Sequence, residues 1–306
     1  MKVIDGAARD RKTGLVNRSE QGNRVSTVLG RRLGGQLLQL RDAAGKTQQE
    51  AAQVLSATAT KVVKMERGWV PVREPDIRAL CTFYGQDDPG AVDALLNLAQ
   101  LDRERRKAKG WWQHAPNAGA LAEYIALEDV ASRVRSWQLS LIPGLCQTRE
   151  YARALEVSYG AWEDPDEIEQ VVEVRLRRQA RLGGEQPLQM YAVIWEAALR
   201  QLVGGPMVMR KQLEQLIDVA GMPNVRLQIL PYRAGGHPCI SGPFNIVSFA
   251  ENEAVDVVHV DGIASTVWVE HAADSATYSA YFDRTARLSL APRDSVTLID
   301  NIRKEL

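Results

Sequence analysis

The sequence predicts an all-α N-terminal domain of five helices followed by an α+β C-terminal domain, and three observations carry that expectation. From Val28 onward apolar residues recur only three or four apart. Beyond Trp111-Trp112 short runs of strand-forming residues, several bounded by Gly or Pro, appear for the first time. The charged run from Arg103 to Gly110 separates the two textures. The organisation expected is an arm over residues 1–27, a helical domain over 28–110 and an α+β domain over 111–306.

The arm shows charges and glycines without an apolar period, and reads as a mobile segment. In the first helix Leu29, Leu33, Leu37 and Leu40 alternate with Arg31, Arg32, Gln36, Gln39 and Arg41, an amphipathic pattern that closes near Gly45. Thr47-Gln48-Gln49-Glu50 is a capping box: the Thr47 hydroxyl accepts from the amide three residues on while Glu50 reaches back to the Thr47 amide. The second helix starts there and runs to about Val54 or Leu55, where Ser56-Ala57-Thr58 interrupts. Thr58 caps a short third helix ending before Gly68. Pro75, at an N1-like position, opens a fourth helix with Ile77, Leu80 and Tyr84 on one face. Asp88-Pro89 opens a fifth carrying Val92, Leu95, Leu96 and Ala99.

In the second half a helical stretch from Tyr124 to Val134 leads into a strand over Trp137–Ile142, stopped by Pro143-Gly144. Asp164-Pro165 opens a helix with acids early (Asp166, Glu167, Glu169) and bases late (Arg175, Arg177, Arg178, Arg181), complementing its dipole. Strands are expected over Leu188–Trp195, Val225–Leu230, Phe244–Phe249, Val255–Val260 and Thr266–Val269, and helices over about 207–220, 274–290 and 293–304.

The 306 residues carry 38 Lys and Arg against 38 Asp and Glu, yet residues 1–110 hold 20 basic and 13 acidic side chains, a balance of +7 that the remainder reverses. The basic half is the one expected to meet phosphate. A composition 45% hydrophobic and 25% charged excludes wholesale disorder. No signal-like start and no 18-residue apolar run are present, so a cytoplasmic protein, nucleoid-associated when bound, is expected. Cys81, Cys146 and Cys239 are odd in number and scattered, implying neither a disulfide framework nor a zinc site.

Thr47 to Gly68 has the grammar of a helix-turn-helix: a capped helix with small Ala51 for close approach, a tight turn at Leu55-Ser56-Ala57, and a second helix with Val62 and Met65 inward. A short rigid helix with small or polar side chains near its start suits a major groove about 12 Å wide. The candidate DNA contacts are Thr58, Ala59, Thr60, Lys61, Val63 and Lys64, with Gln48 at the preceding helix start placed for a phosphate. A helical hairpin that packs another protein is the alternative.

From Leu29 to about Tyr84 the chain resembles the XRE or lambda-repressor-like helix-turn-helix family. The likeness rests on Leu40-Arg41, on Gly45-Lys46-Thr47-Gln48-Gln49-Glu50-Ala51-Ala52, and on the stretch from Thr58 to Glu66-Arg67-Gly68. Ala59 and Val63 depart from that pattern, where many members carry Gln and Ser. Glu66 and Arg41 are expected to form a structural ion pair between the recognition helix and the first helix. Tyr124–Glu128, Ile142–Leu155, Glu196–Arg200 and Gly242–Phe244 resemble the domain of unknown function attached to such modules in WhiJ-like, antitoxin-like regulators of actinomycetes. The resemblance implies a transcriptional regulator, often encoded beside a small partner protein.

Candidate ligand or partner residues are Pro143, Gly144, Gln147, Thr148, Tyr151 and Arg153, where a strand-to-helix turn offers amides to a carboxylate or phosphate, and His237 in the loop after Ala234-Gly235-Gly236. A plain structural turn is the other reading. His237, Cys239 and Ser241 lack a nucleophile elbow, and His237 with Cys239 is too few for a metal, so neither catalytic nor metal residues nor a cofactor are expected. Cys146 reads as a small buried apolar residue. Trp111, Trp112, Trp137, Trp162, Trp195 and Trp268 either line a pocket or build the core, and the arginines from Arg175 to Arg181 either touch a partner or solvate a helix end. The function expected is a homodimeric, sequence-specific regulator, not an enzyme, on a palindromic double-stranded operator with half-sites about 34 Å apart, whose C-terminal domain senses a small-molecule effector or a partner. The alternative is an antitoxin-like protein whose main task is to bind a small partner, with DNA binding for autoregulation.

Overall fold

The computed structural model describes residues 27–107, 119–160, 164–250, 256–262 and 265–306. The predicted arm up to residue 26, the domain boundary at Gly110, Trp111, Trp112 and Trp162 lie outside the described residues.

The N-terminal half is helical: α1 (Val28–Ala43), α2 (Gln48–Val54), α3 (Ala59–Glu66), α4 (Glu74–Tyr84) and α5 (Pro89–Lys107). Thr27 caps α1 by accepting from the Gly30 amide at 2.8 Å. The capping box at α2 is present in both directions, and Thr58 caps α3 through the Lys61 amide. Pro75 stands second in α4, behind Glu74, where its missing N–H costs nothing. Leu29, Leu33, Leu37, Ala51, Val62, Met65, Ile77 and Leu80 form the buried centre. α1 and α3 approach so closely that a Cβ added to Gly34 would stand 2.4 Å from the Glu66 carbonyl oxygen.

The C-terminal half holds a six-stranded mixed sheet in the order β3-β2-β1-β4-β5-β6, formed by β1 (Arg133–Gln138), β2 (Gln189–Trp195), β3 (Val225–Leu230), β4 (Phe244–Ser248), β5 (Val257–Asp261) and β6 (Thr266–Val269). β1, β2 and β3 run parallel, joined by crossovers that carry α7 (Arg149–Tyr159), α8 (Pro165–Arg178), α9 (Glu196–Arg200) and α10 (Pro206–Ala220); β4 to β6 add antiparallel on the other side of β1. α6 (Gly119–Val130) precedes β1, and α11 (Ala272–Leu288) and α12 (Pro292–Glu305) close the chain. Side-chain alternation divides the core between the two sheet faces. Trp137, Val193, Leu230, Ile246 and Val258 meet Phe282 of α11. On the opposite face Val134, Ala192, Ile194 and Val257 meet Tyr124 and Leu127 of α6, Tyr151 of α7 and Leu213 of α10.

Two expectations are corrected. The first C-terminal helix stops at Val130, and the strand read as Trp137–Ile142 spans Arg133–Gln138. Val134 sits four residues after Val130 and so mimicked helical spacing, but it belongs to β1, a central strand buried on both faces from Val134 to Trp137. The polar members of that strand are tolerated inside because Arg135 donates to Asp256 at 2.6 Å and Ser136 to Asn245 at 2.7 Å. The short α9 was not anticipated.

The two halves touch. Arg31 of α1 pairs with Glu270, just past β6, at 2.8 Å, and Glu123 of α6 accepts from the Val28 amide at 2.9 Å, capping α1 from the C-terminal half.

Candidate functional site

On the helix-turn-helix, α2 passes to α3 through Leu55-Ser56-Ala57, with Ser56 at φ 48°, in the left-handed region. Val62 and Met65 anchor α3 in the core, while Ala59, Thr60 and Lys64 are exposed and Lys61 and Val63 half-buried. The helix is therefore held by one face and presents the other, as a groove-reading helix must.

Two predicted contacts are engaged elsewhere. Lys61 Nζ lies 3.0 Å from Asp76 Oδ2 on α4, and Gln48 Nε2 donates to Glu66 Oε2 at 2.7 Å. Glu66 also takes Arg41 Nε at 2.6 Å, so the expected ion pair is present and Gln48 joins it. Beside this pair the Arg41 guanidinium is held above its usual range, chiefly by the hydrogen bond to Glu66. Exposed cations outside the predicted set include Arg67, 5.0 Å from the Trp69 ring centre, and Arg73 at the α4 cap. Arg67 is the C-cap residue of α3, at the end of the expected recognition helix though not among its named contacts, and Arg73 lies beyond that helix.

The predicted residues after β1 divide. Pro143, Gly144 and Gln147 line a cleft of about 620 Å³ over the sheet face at the carboxyl end of β1. Thr148, Tyr151 and Arg153 do not. Thr148 caps α7 through the Tyr151 amide, and its own amide is taken by Gln212 at 2.8 Å, so these amides are not open to an anion. Tyr151 is buried and its hydroxyl accepts from the Ile142 amide at 3.2 Å. Arg153 pairs with Glu169 at the surface. His237 lies apart from that cleft, 5.0 Å from Trp137 ring to ring, in a hollow of about 530 Å³ with Tyr281, Arg284, Arg287 and Leu288. Cys239 is buried, accepts from Thr285, and gives its carbonyl to Trp137 Nε1 at 2.9 Å. Burial alone pushes the Cys146 thiol up to about 12, as expected of a small apolar core residue.

Of the four arginines from Arg175 to Arg181, Arg177 is exposed in the last turn of α8, where it pairs with Glu173, and the other three are engaged within the fold. Arg178 forms a buried two-pronged pair with Glu128 at 2.8 and 2.9 Å. Arg175 meets Glu156 at 2.5 Å and Gln147 at 3.2 Å, and Arg181 donates to the Ala131 carbonyl. Burial opposes the Arg178 charge, and Glu128 more than offsets it, so its pKa is raised. Arg175, Arg178 and Glu128 all line the cleft.

Its floor is a polar row across three strands. Register places Ser136 opposite Asn245, Asn245 opposite His259, and His259 opposite Trp268. The His259 ring lies between Tyr124 and Trp268, 4.7 Å from each, and its buried Nδ1 has no hydrogen-bond partner among the described residues. Burial lowers the His259 pKa. Trp137 and Trp195 take no part in this cleft. Among the described residues no cluster of three His, Cys, Asp or Glu is arranged to hold a metal, and no helix is long and apolar enough to cross a membrane.

The architecture agrees with comparisons against known families. Residues 32–95 match a helix-turn-helix domain, and residues 121–301 match the domain of unknown function DUF5753. No curated protein and no solved structure matches the chain. Because the second match covers more than half of its length, the chain belongs to the DUF5753 domain family, here joined to an N-terminal helix-turn-helix domain.

Proposed function

We propose that the protein is a sequence-specific transcriptional regulator whose α3 enters the major groove of double-stranded DNA and whose DUF5753 domain senses a small effector. The observation that carries this is the geometry of α3, gripped through Val62, Met65 and the Arg41–Glu66 pair while Ala59, Thr60 and Lys64 remain exposed. The excess of basic residues in this half supplies phosphate attraction. One short helix reads few base pairs, so the protein acts as a homodimer on a palindrome. The contacts Arg31–Glu270 and Glu123–Val28 give the sensing domain a direct grip on α1.

Sequencing of genomic fragments retained by the purified chain, with light scattering on and off DNA, tests this. A palindromic consensus bound by two copies is expected. An absence of enriched sequence, or a strict monomer on DNA, would overturn the corresponding part. A second reading, an antitoxin-like protein devoted to a small partner encoded nearby, is favoured by exposed Tyr281 and Leu288 around the His237 hollow and by exposed Ile240 near it. Co-purification of a stoichiometric partner without DNA enrichment would select that reading.

A further inference from the structure

We infer that the cleft over β1, β4 and β5 is a binding site for an uncharged amphiphilic small molecule, with an apolar body on Leu141, Ile142 and Met190 and a polar edge against Asn245 and His259. This deepens the sensing role proposed above and rests on it only for its consequence, not for the binding itself.

Three observations point to the site. Its size, about 620 Å³, falls in the range of small-ligand pockets. Its lining brings Leu141, Ile142 and Met190 together with Gln138, Asn245 and His259. At the floor a side chain more than nine-tenths buried, His259, keeps Nδ1 without a partner among the described residues although Asn245, Ser136 and Gln138 stand in the same face. Buried polar atoms are almost always satisfied, so an orphan in the lining of a cleft marks where a ligand group or water completes the bonding. The Arg175 Nε, also in the lining, is a second such atom.

The charge pattern selects the class. Arg178 is answered by Glu128 and Arg175 by Glu156, and Asp261, exposed, already accepts from Thr266. An anion entering would find both arginines already answered and nothing to repay its desolvation, while Asp261, which has no cationic partner among the described residues, faces solvent, where pairing with a cation contributes little. A neutral ligand with one or two hydrogen-bonding groups loses nothing there.

The site also touches what an effector must move. Tyr124 and Glu128 in its wall share α6 with Glu123, which caps α1, and His259 stacks on Trp268, two residues before Glu270, the partner of Arg31.

The probe is N-phenyl-1-naphthylamine, an uncharged diarylamine with one N–H, whose fluorescence rises in apolar surroundings; the anionic 8-anilinonaphthalene-1-sulfonate serves as the charged contrast. Saturable binding of one neutral probe per full-length chain is expected, with the sulfonate at least tenfold weaker. Ser140→Trp, at the exposed rim, and Gln138→Trp, at the end of β1, should each weaken the neutral probe tenfold or more. His259→Phe, which keeps the ring stack and removes Nδ1, should weaken it severalfold. Thermal midpoints and circular dichroism identify any variant that fails to fold, and Ser140→Trp retains the test if Gln138→Trp does. No saturable binding, equal binding of the sulfonate, or probe affinity indifferent to the folded blocking variant would overturn the inference. Titration of an enriched DNA fragment in parallel separates the two ideas: loss of DNA enrichment with probe binding intact defeats the regulator, not the cleft.

Discussion

Arg41 Nε donates to Glu66 Oε1 across 2.6 Å, tying the last turn of α1 to the last turn of α3, with both side chains about nine-tenths or more buried. The same carboxylate takes Gln48 from the start of α2, so one acid registers three helices of the helix-turn-helix.

Removing Arg41 leaves the buried Glu66 carboxylate with Gln48 but no cation, whereas removing Glu66 leaves Arg41 its 2.8 Å contact with Asp42. Arg41→Ala should cost about 3–5 kcal/mol in denaturant unfolding and Glu66→Ala less, while the double substitution should cost less than the sum. Additive losses would show that the pair does not act as a unit. Exchange of the two, Arg41→Glu with Glu66→Arg, should recover part of the folding lost in either single reversal.

Neighbouring glycines of α1 should respond oppositely. A Cβ at Gly34 meets α3 backbone at 2.4 Å, whereas one at Gly35 meets nothing within 4 Å. Gly34→Ala should destabilise by roughly 1–3 kcal/mol through forced separation of α1 and α3, and Gly35→Ala should stabilise by about 0.5–1 kcal/mol. Equal shifts in unfolding midpoint would contradict the close approach. At the turn, Ser56→Gly should relieve a strained φ of 48° and gain about 1 kcal/mol.

On DNA the two lysines of α3 should separate. Lys64 is exposed, and Lys61 is held by Asp76. Lys64→Ala should reduce affinity and flatten the logarithmic salt slope by about 0.9, with a smaller change for Lys61→Ala. Asp76→Asn, which frees Lys61, should tighten binding at low salt; weaker binding would assign Asp76 a positioning role instead.

Stability should fall with acidification before most carboxylates titrate. Burial holds the folded-state pKa of His259 below its ordinary 6.5, against Asp261 and Glu128, which raise it, and with Arg178, which lowers it further. The unfolded chain therefore binds the proton first, so the contribution is fully present above about 6.5 and is lost as pH falls toward the folded value. His237, also lowered by burial, adds in the same direction. Thermal midpoints between pH 7.5 and 5.5 should drop less in His259→Phe than in the parent chain; an identical drop would place the effect elsewhere.

Much of the fold was legible because its signals act over one or two turns of chain. Thr47 and Glu50 cap α2 as read, Thr58 caps α3, and the strands β2, β3, β4 and β6 fall on the expected apolar runs, β3 between Pro223 and Pro231 and β4 just after Gly242-Pro243. The Arg41–Glu66 pair was legible as well, through the likeness to a known helix-turn-helix pattern. These features depend on side chains a few residues apart, or on a motif whose packing is already implied, so the amino-acid order determines them. The three-dimensional fold alone decided the rest. Lys61 and Gln48 are drawn to Asp76 and Glu66 because packing of α3 against its neighbours brings opposite charge or an acceptor within 3 Å, at separations of 15 and 18 residues. Pro143 and His237, both candidate ligand residues, part company because they fall in separate hollows of the folded domain. Ser136, Asn245, His259 and Trp268 meet because alternation chooses a face within each strand, but only the pairing register of the completed sheet aligns that choice across strands far apart in the chain.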